Sequence, residues 1–178
     1  MRFTQALPGA WIIDSEAIED SRGFFSRVWD RGEFIERGLE PSVAQCNISY
    51  NRRRGTIRGM HLQRSPHEEV KVIRCARGSL FDVIVDLRTD SPTFRRWIGV
   101  TLDARNRSML YVPRGFAHGF QTLEDETETF YMVSEPYAPG AEDGVRWDDP
   151  SIGIEWPLGP PSEISDKDRG WPDLAGKG

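Results

Sequence analysis

The sequence predicts an all-β protein of the sandwich or jelly-roll class. Segments rich in Val, Ile, Phe, Tyr and Thr follow one another closely between residues 70 and 134, and turn-forming clusters separate them. The same region shows little helical periodicity. Strands at this spacing, with few helices between them, are typical of a β-sandwich or jelly roll.

The chain length sets the number of domains. A sequence of 178 residues suits one domain, which we expect to span residues 1–178. Such a domain buries enough apolar surface to fold without disulfide or metal staples.

The first predicted elements are short. Ala10–Asp14 has the composition of a strand, and residues 16–21 are polar and turn-like. Residues 22–29 predict an aromatic strand. Residues 30–38 are the best helix candidate, because Asp30 can cap the first turn and a glycine follows the last apolar residue. We therefore expect short helices flanking the sheets.

Polar residues alternate along the next predicted strand, at residues 43–50. Gln45, Asn47 and Ser49 lie two positions apart, so a strand places them on one face. If that face lines a cavity, these side chains are available as hydrogen-bonding groups. If the face is exposed to water, they carry no functional information.

The remaining strands form the dense series noted above. They are predicted at residues 70–75, 80–87, 96–102, 108–112, 116–123 and 128–134. After residue 136 the chain is rich in Gly, Pro and Trp. We expect Trp147, Trp156 and Trp171 to pack this segment against the body as cover.

Composition excludes several classes of function. The formal net charge of −5 argues against double-stranded nucleic acid as a partner. We expect no signal peptide and no membrane association, because the first residues lack an apolar core and no apolar run approaches about 20 residues. Cys46 and Cys75 do not form a disulfide framework, so a cytoplasmic location is the simplest expectation.

Three separate clusters carry residues with acid–base chemistry. The first spans residues 55–71 and contains Arg58, His61 and Lys71. The second contains His118, and the third runs from Tyr131 to Tyr137. A His and a Lys on neighbouring strands of a small β-fold can face one cavity, although taken alone they also fit a surface hairpin. The recurrence of such clusters favours a site.

One option for these clusters is a metal centre. Pro113-x-Gly-x-x-His118 matches the second motif of the cupin jelly rolls, whose first motif usually supplies His-x-His. Here His61 is followed two residues later by Gln63, and His67 is out of step with that pair. Two histidines and a glutamate fall short of the usual ligand set for zinc or iron. We therefore expect no metal and no cofactor, and His118 is also credible as plain structure.

The other option is proton transfer at a carbon next to a carbonyl group. This reaction needs a base, a donor or cation for the enolate oxygen, and an acid on the opposite face when the centre inverts. Histidine is the side chain that ordinarily titrates nearest neutrality, so His61 is the natural base. Lys71 can meet the oxyanion and Tyr131 can donate a proton, while a buried carboxylate would orient the imidazole.

Taken together, the motifs resemble those of a known family. The sequence is similar along nearly its whole length to the nucleotide-sugar epimerases typified by dTDP-4-dehydrorhamnose 3,5-epimerase, which belong to the cupin superfamily. The main matching motifs are Arg22-Gly-Phe-Phe25, Gln45-x-Asn-x-Ser49, Gly55-x-x-Arg-Gly-x-His61-x-Gln63, Lys71-Val-Ile-Arg74, Pro113-x-Gly-Phe-Ala-His-Gly-Phe120, Tyr131, Tyr137-Ala-Pro139, Trp147-Asp-Asp-Pro150 and Ser165-Asp-Lys-Asp168.

The resemblance implies a fold, an assembly and a set of site residues. It implies a cupin-type jelly-roll β-sandwich and a homodimer in which the N-terminal strand crosses to the partner. It implies His61 as the base paired with Asp168, Lys71 beside it and Tyr131 as the opposing acid. It also implies substrate contacts for Arg22, Phe25, Gln45, Asn47, Arg58, His118, Tyr137 and Lys167.

The implied activity is inversion at C3, C5 or both of a nucleotide-linked 4-keto-6-deoxyhexose, without a cofactor. Arg27 and Glu69 depart from the residues common in the family and bear on which nucleotide and sugar are used. A CDP- or GDP-linked sugar stays open, as does a 3,4-ketoisomerase on the same fold. A sugar-binding cupin without turnover is a further alternative, which the joint presence of His61, Lys71, Tyr131 and Asp168 disfavours.

Overall fold

β-strands dominate the protein. A computed structural model describes residues 1–176, so the last two residues of the predicted domain lie outside the described part. The strands are β1 (Arg2–Leu7), β2 (Ala10–Asp14), β3 (Ala17–Asp20), β4 (Gly23–Ser26), β5 (Gln45–Asn51), β6 (Ile57–Gln63), β7 (Lys71–Arg77), β8 (Ser79–Asp86), β9 (Trp97–Asp103), β10 (Ser108–Val112), β11 (Phe116–Thr122), β12 (Thr127–Val133) and β13 (Glu142–Gly144).

Two antiparallel sheets face each other. One has the strand order β1-β2-β10-β7-β12-β5 and the other the order β13-β6-β11-β8-β9. Their inner faces meet in a core to which Ile73 and Leu110 contribute from the first sheet, and Ile84 and Phe120 from the second. The all-β sandwich prediction is therefore confirmed. No helix among residues 1–176 is long and apolar enough to cross a bilayer.

A short helix covers the outer face of the six-stranded sheet, as predicted. Helix α1 spans Arg31–Glu36, and the Asp30 side chain accepts hydrogen bonds from the backbone N–H groups of Gly32 and Glu33. Phe34 on α1 is fully buried against apolar side chains of β2, β10 and β12. This packing fixes the outer side of the strands whose inner sides face the cavity described below.

The C-terminal segment covers the five-stranded sheet. Trp156 is buried and donates its Nε1–H to the carbonyl of Trp147 at 2.9 Å, and both indoles join the cluster on the outer face of that sheet. The prediction that these two tryptophans act as cover is confirmed. Beyond them, helix α2 (Asp166–Arg169) and a 3-10 helix (Leu174–Gly176) follow.

One expectation for the N-terminal region is wrong. Residues 16–21 contain strand β3, which forms a separate two-stranded hairpin with β4. The polar composition of β3 gave no strand signal, because this strand is stabilised by pairing with β4 and not by burial of apolar side chains. β1 pairs with β2 of its own chain and forms one edge of the six-stranded sheet.

Candidate active site

A cavity open to solvent lies between the two sheets. One lobe, of about 250 Å³, is bounded by Gln45, Asn47, Glu69, Tyr137 and Lys167 among others. A second lobe, of about 160 Å³, is bounded by Ser49, Arg58 and His118. His61, Lys71 and Tyr131 line both lobes, so the two lobes form one continuous site.

His61 is held by a carboxylate from the far end of the chain. Its Nε2 lies 2.6 Å from Oδ1 of Asp168, and Oδ2 of Asp168 accepts a hydrogen bond from the backbone N–H of Gly59 at 3.1 Å. Asp168 is 4% exposed and belongs to α2, whose first turn is capped by the Ser165 side chain. The structure thus brings together two residues that the resemblance paired.

The pair is arranged so that the carboxylate stays ionised. Burial raises the pKa of Asp168, but its hydrogen bond to His61, the charge of His61 and the hydrogen bond from Gly59 outweigh burial and lower it overall. An ionised carboxylate only accepts hydrogen bonds. Nε2 of His61 must therefore carry a proton toward Asp168, and in the neutral imidazole this leaves Nδ1 with a free lone pair.

Gly59 is required where β6 passes close to its neighbour β11. Its φ is +140°, and a Cβ at this position would lie 2.6 Å from the Cα of Gly119. Glycine tolerates both the dihedral and the close approach. Gly59 thus permits a close backbone approach, and its N–H donates to Asp168.

Lys71 reaches the cavity from the opposite sheet. It begins β7 in the six-stranded sheet, whereas His61 lies on β6 in the five-stranded sheet. The expectation that the two residues occupy neighbouring strands is therefore wrong, although both face one cavity. Lys71 Nζ lies 3.0 Å from Oε1 of Glu69.

Tyr131 also enters from the six-stranded sheet. Tyr131 and Val133 line the cavity, as the alternation of the strand predicts. Phe130 and Met132 point the other way and pack in the cluster around Phe34 of α1, instead of against the second sheet. Burial raises the pKa of Tyr131; Arg58 opposes this rise and Glu69 adds to it. The phenol therefore keeps its proton at neutral pH.

The polar face of β5 does line the cavity. Gln45 and Asn47 border the first lobe and Ser49 borders the second. Gln45 Oε1 accepts a hydrogen bond from the backbone N–H of Tyr137, which ties the rim to β5. The Ser49 hydroxyl is buried without a hydrogen-bond partner within the described residues.

The second lobe presents a cation and a second His–Asp pair. Arg58 Nε donates to Oδ1 of Asn51 at 2.7 Å, which fixes the guanidinium at the cavity wall. His118 Nε2 lies 2.7 Å from Oδ1 of the fully buried Asp82. This lobe therefore carries groups that can meet an anion beside the His61 lobe.

Comparisons with known proteins agree with this arrangement. A sequence profile of the family described as dTDP-4-dehydrorhamnose 3,5-epimerase matches residues 4–176. The dTDP-4-dehydrorhamnose 3,5-epimerase of Methanothermobacter thermautotrophicus is 44% identical over 171 residues, which cover 95% of this chain and 91% of that protein. The chain belongs to the dTDP-4-dehydrorhamnose 3,5-epimerase family. It is accordingly an isomerase-class enzyme, an epimerase.

Solved structures show the same fold. The dTDP-4-dehydrorhamnose 3,5-epimerase of Bacillus anthracis, with TDP and PPi bound, has a TM-score of 0.89 at 43% identity and covers 93% of this chain and 94% of its own. A 3′-monoepimerase from Streptomyces bikiniensis in complex with dTDP-quinovose has a TM-score of 0.87 at 36% identity. The match covers 94% of this chain and 84% of that one. The sandwich of this epimerase is therefore of the cupin type, as predicted.

Two predicted substrate contacts of the epimerase lie outside the cavity of their own chain. Arg22 and Phe25 belong to the β3–β4 hairpin, and neither borders either lobe. The Arg22 guanidinium pairs with Asp20 and is largely exposed, and Phe25 is 61% exposed. The structure brings the other predicted site residues together but not these two.

Three residues at the rim of the first lobe were not among the predicted site residues. Trp171, expected only as cover, lines the lobe, and its ring meets that of His61 edge-on with centroids 6.4 Å apart. Glu142 pairs with Lys167, and Glu69 pairs with Lys71. Periodicity cannot find them, because Glu69 and Trp171 lie in loops and Glu142 begins the three-residue strand β13.

The position of Gln63 bears on metal binding by the epimerase. Gln63 is 4% exposed, its Nε2 donates to the carbonyl of His67 at 3.0 Å and its Oε1 accepts from the N–H of Ala138 at 2.7 Å. Both ends of the amide are thus engaged in the fold. Within residues 1–176 no group of three His, Cys, Asp or Glu side chains is arranged to hold a metal ion.

Proposed function

We propose that this epimerase inverts C3, C5 or both in a dTDP-linked 4-keto-6-deoxyhexose, by proton transfer through an enolate. One observation carries the proposal. His61, held by Asp168 of α2, stands on the five-stranded sheet, while Lys71 and Tyr131 face it from the six-stranded sheet across one cavity. A base and an acid on opposite walls fit inversion of a carbon held between them.

The proposed reaction begins at the carbon next to the C4 carbonyl. Nδ1 of His61 takes the proton from this carbon, and the C–H electron pair moves to form the enolate, with negative charge on the C4 oxygen. The Lys71 ammonium stabilises that charge. Asp168 keeps the imidazole in the required tautomer and balances the positive charge that it acquires.

The second half of the reaction returns a proton from the other face. The enolate carbon takes the phenolic proton of Tyr131, the carbonyl re-forms, and the configuration at this carbon is inverted. Solvent then removes the proton from His61 and restores that of Tyr131. The raised pKa of Tyr131 suits this role, because the phenol stays protonated until the enolate forms.

The second lobe is proposed to hold the diphosphate. Arg58 provides donors there beside His118, and a guanidinium matches phosphate geometry well. The TDP and dTDP-quinovose named for the two related structures support a thymidine nucleotide for this chain. Gln45, Asn47, Tyr137 and Lys167 are proposed to contact the substrate in and around the first lobe.

The hairpin suggests how the epimerase assembles. Ile18, Phe24 and Phe25 are 71%, 54% and 61% exposed, and β3–β4 pairs with no further strand among the described residues. We propose that a second copy of the chain covers this hairpin, which then carries Arg22 and Phe25 to the partner's cavity. Ile48 and Tyr50 on the edge strand β5 are exposed as well.

The dimer is tested by sedimentation of the wild-type protein and the variant Phe25→Ser. We expect a wild-type dimer and a weaker dimer for Phe25→Ser, with lower turnover, because exposed aromatic area drives association. Glu19→Gln, on the same hairpin, is the matched control and should remain dimeric. A monomeric, fully active wild-type protein would contradict the proposal.

Isotope exchange tests the reaction itself. The protein is incubated in D2O with dTDP-, CDP- and GDP-linked 4-keto-6-deoxyhexoses, and deuterium at C3 and C5 and the product configuration are read by NMR. We expect exchange and inversion with the dTDP sugar, unchanged after exhaustive treatment with a chelator, because no described metal cluster is available. A product with its carbonyl at C3 would indicate a ketoisomerase. Binding of the sugar nucleotide without isotope exchange would indicate a non-catalytic binding protein.

A further inference from the structure

The cavity contains a carboxylate to which the proposed proton transfers give no role. Glu69 lies in the loop between β6 and β7, and its side chain is only 11% exposed. Oε1 of Glu69 lies 3.0 Å from Nζ of Lys71, and Oε2 accepts a hydrogen bond from Nε2 of Gln63 at 3.1 Å. Both carboxylate oxygens are thus engaged, one with the Lys71 ammonium and one with the Gln63 amide.

Gln63 makes the position of this carboxylate rigid. It lies two residues after His61 on β6, so both side chains leave the strand on the same face. Its Nε2 contacts the carbonyls of His67 at 3.0 Å and Pro136 at 3.3 Å, besides Glu69. An amide nitrogen has two hydrogens, and the two shortest contacts, to His67 and Glu69, account for them.

A continuous chain of contacts therefore joins the two sides of the sandwich. It runs from β6 through Gln63 to Glu69, and from Glu69 to Lys71 on β7. The Lys71 side chain is 13% exposed and lines the cavity together with Tyr131. A lysine chain has four rotatable carbon–carbon bonds, and a fixed anion on one donor restricts this freedom while leaving two N–H donors available.

We propose that Glu69 is a positioning residue that fixes the Lys71 ammonium where the enolate oxygen develops its charge. This inference rests on the proposed function, since it assigns the oxyanion to Lys71. Glu69 acts through Lys71 and through its negative charge, without touching the reacting atoms. An ammonium held in place before the reaction stabilises charge better than one that must first reorient.

The charge of Glu69 also acts on Tyr131. The charged and titratable groups that line the cavity with the phenol are Arg58 and His61 of β6, His118 of β11, Lys71 of β7, Glu142 and Asp143 of β13, and Glu69, Tyr137 and Lys167. After burial, Arg58 lowers the pKa of Tyr131 and Glu69 raises it. Removing the negative charge therefore lowers the pH at which Tyr131 loses its proton and with it the ability to act as an acid.

The test is Glu69→Gln, which keeps the shape of the side chain and removes its charge. We expect kcat for the dTDP sugar to fall about 10²-fold, as for a misplaced reacting group, with KM within about threefold of wild type. We also expect the high-pH limb of the kcat profile to move to lower pH. Glu68→Gln, in the same loop but outside the cavity lining, is the matched control and should behave as wild type.

A second variant separates position from charge. Glu69→Asp retains the anion but withdraws it by one methylene group. We expect an intermediate kcat together with a high-pH limb close to that of wild type, and an unchanged affinity for dTDP in both variants as evidence of an intact fold. If Glu69 served folding alone, the high-pH limb would not differ between the two variants. A limb that moves in Glu69→Gln and stays in place in Glu69→Asp therefore indicates an effect of the charge.

Three results overturn the inference. A Glu69→Gln variant with wild-type kcat and pH profile shows that Lys71 does not need its partner. A rise in KM alone shows that Glu69 contacts the substrate instead of positioning Lys71. A wild-type protein without isotope exchange removes the proposed function and this inference together, and is distinguishable because the first two results require an active wild type.

Discussion

His61→Ala should abolish exchange of solvent deuterium at both C3 and C5 of the dTDP sugar. The substitution removes the imidazole proposed as the base and leaves Asp168 buried without its partner. Loss of a general base typically costs 10²–10⁴-fold in rate. NMR of the substrate in D2O measures the exchange, and calorimetry with dTDP measures binding, which should stay nearly unchanged because Arg58 and His118 occupy the other lobe.

Two further variants sharpen this result. His67→Ala removes an exposed histidine in the loop after β6, whose backbone carbonyl alone contacts Gln63, and should leave exchange intact. Asp168→Asn should be milder than His61→Ala, since the imidazole remains while its orientation and charge balance are weakened. Exchange at the wild-type rate in His61→Ala would show that another residue is the base.

Tyr131→Phe should separate exchange from inversion. The variant keeps the ring that lines the cavity and deletes the only proton it can donate. His61 can still remove a substrate proton and return a deuteron to the same face, so deuterium should continue to enter. Inversion needs a donor on the opposite face, and formation of the inverted product should fall by about 10²-fold or more. NMR of the same reaction reports both quantities.

The controls for this experiment are two other tyrosines. Tyr50→Phe alters a residue of β5 whose neighbours in the alternation, Ile48 and Cys46, do not line the cavity, and inversion should be unaffected. Tyr137→Phe alters the remaining phenol at the cavity rim. If Tyr131→Phe inverts its substrate normally and Tyr137→Phe does not, the acid is Tyr137 and the role given to Tyr131 is wrong.

Local sequence signals predicted the elements that depend on local physics. Asp30 begins a helix because its side chain satisfies free N–H groups, and the sequence alone indicates this. The alternation of Gln45, Asn47 and Ser49 predicted a shared face, because every second side chain of a strand points to the same side of the sheet. The dense strands after residue 70 were placed within a few residues of their observed bounds, because their burial leaves a clear apolar pattern.

Local sequence patterns do not determine how distant parts of the chain are placed relative to one another. Which sheet a strand joins depends on crossovers between distant segments, and so the opposite placement of His61 and Lys71 could not be derived from their spacing. Asp168 lies 107 residues from His61 along the chain, and only the family resemblance paired them. Glu69, Glu142 and Trp171 lie in or beside loops, where no periodicity distinguishes a site residue from a solvated one.

The position of Asp168 in the sequence, after the last strand, bears on the order in which the scaffold and the site are formed. The last strand, β13, ends at Gly144, whereas Lys167, Asp168 and Trp171 follow it and add no strand to either sheet. Since a chain is synthesised from its N-terminus, every strand of both sheets is made before the carboxylate that orients His61. The residues of the scaffold thus precede the docking of helix α2, which completes the His61–Asp168 pair.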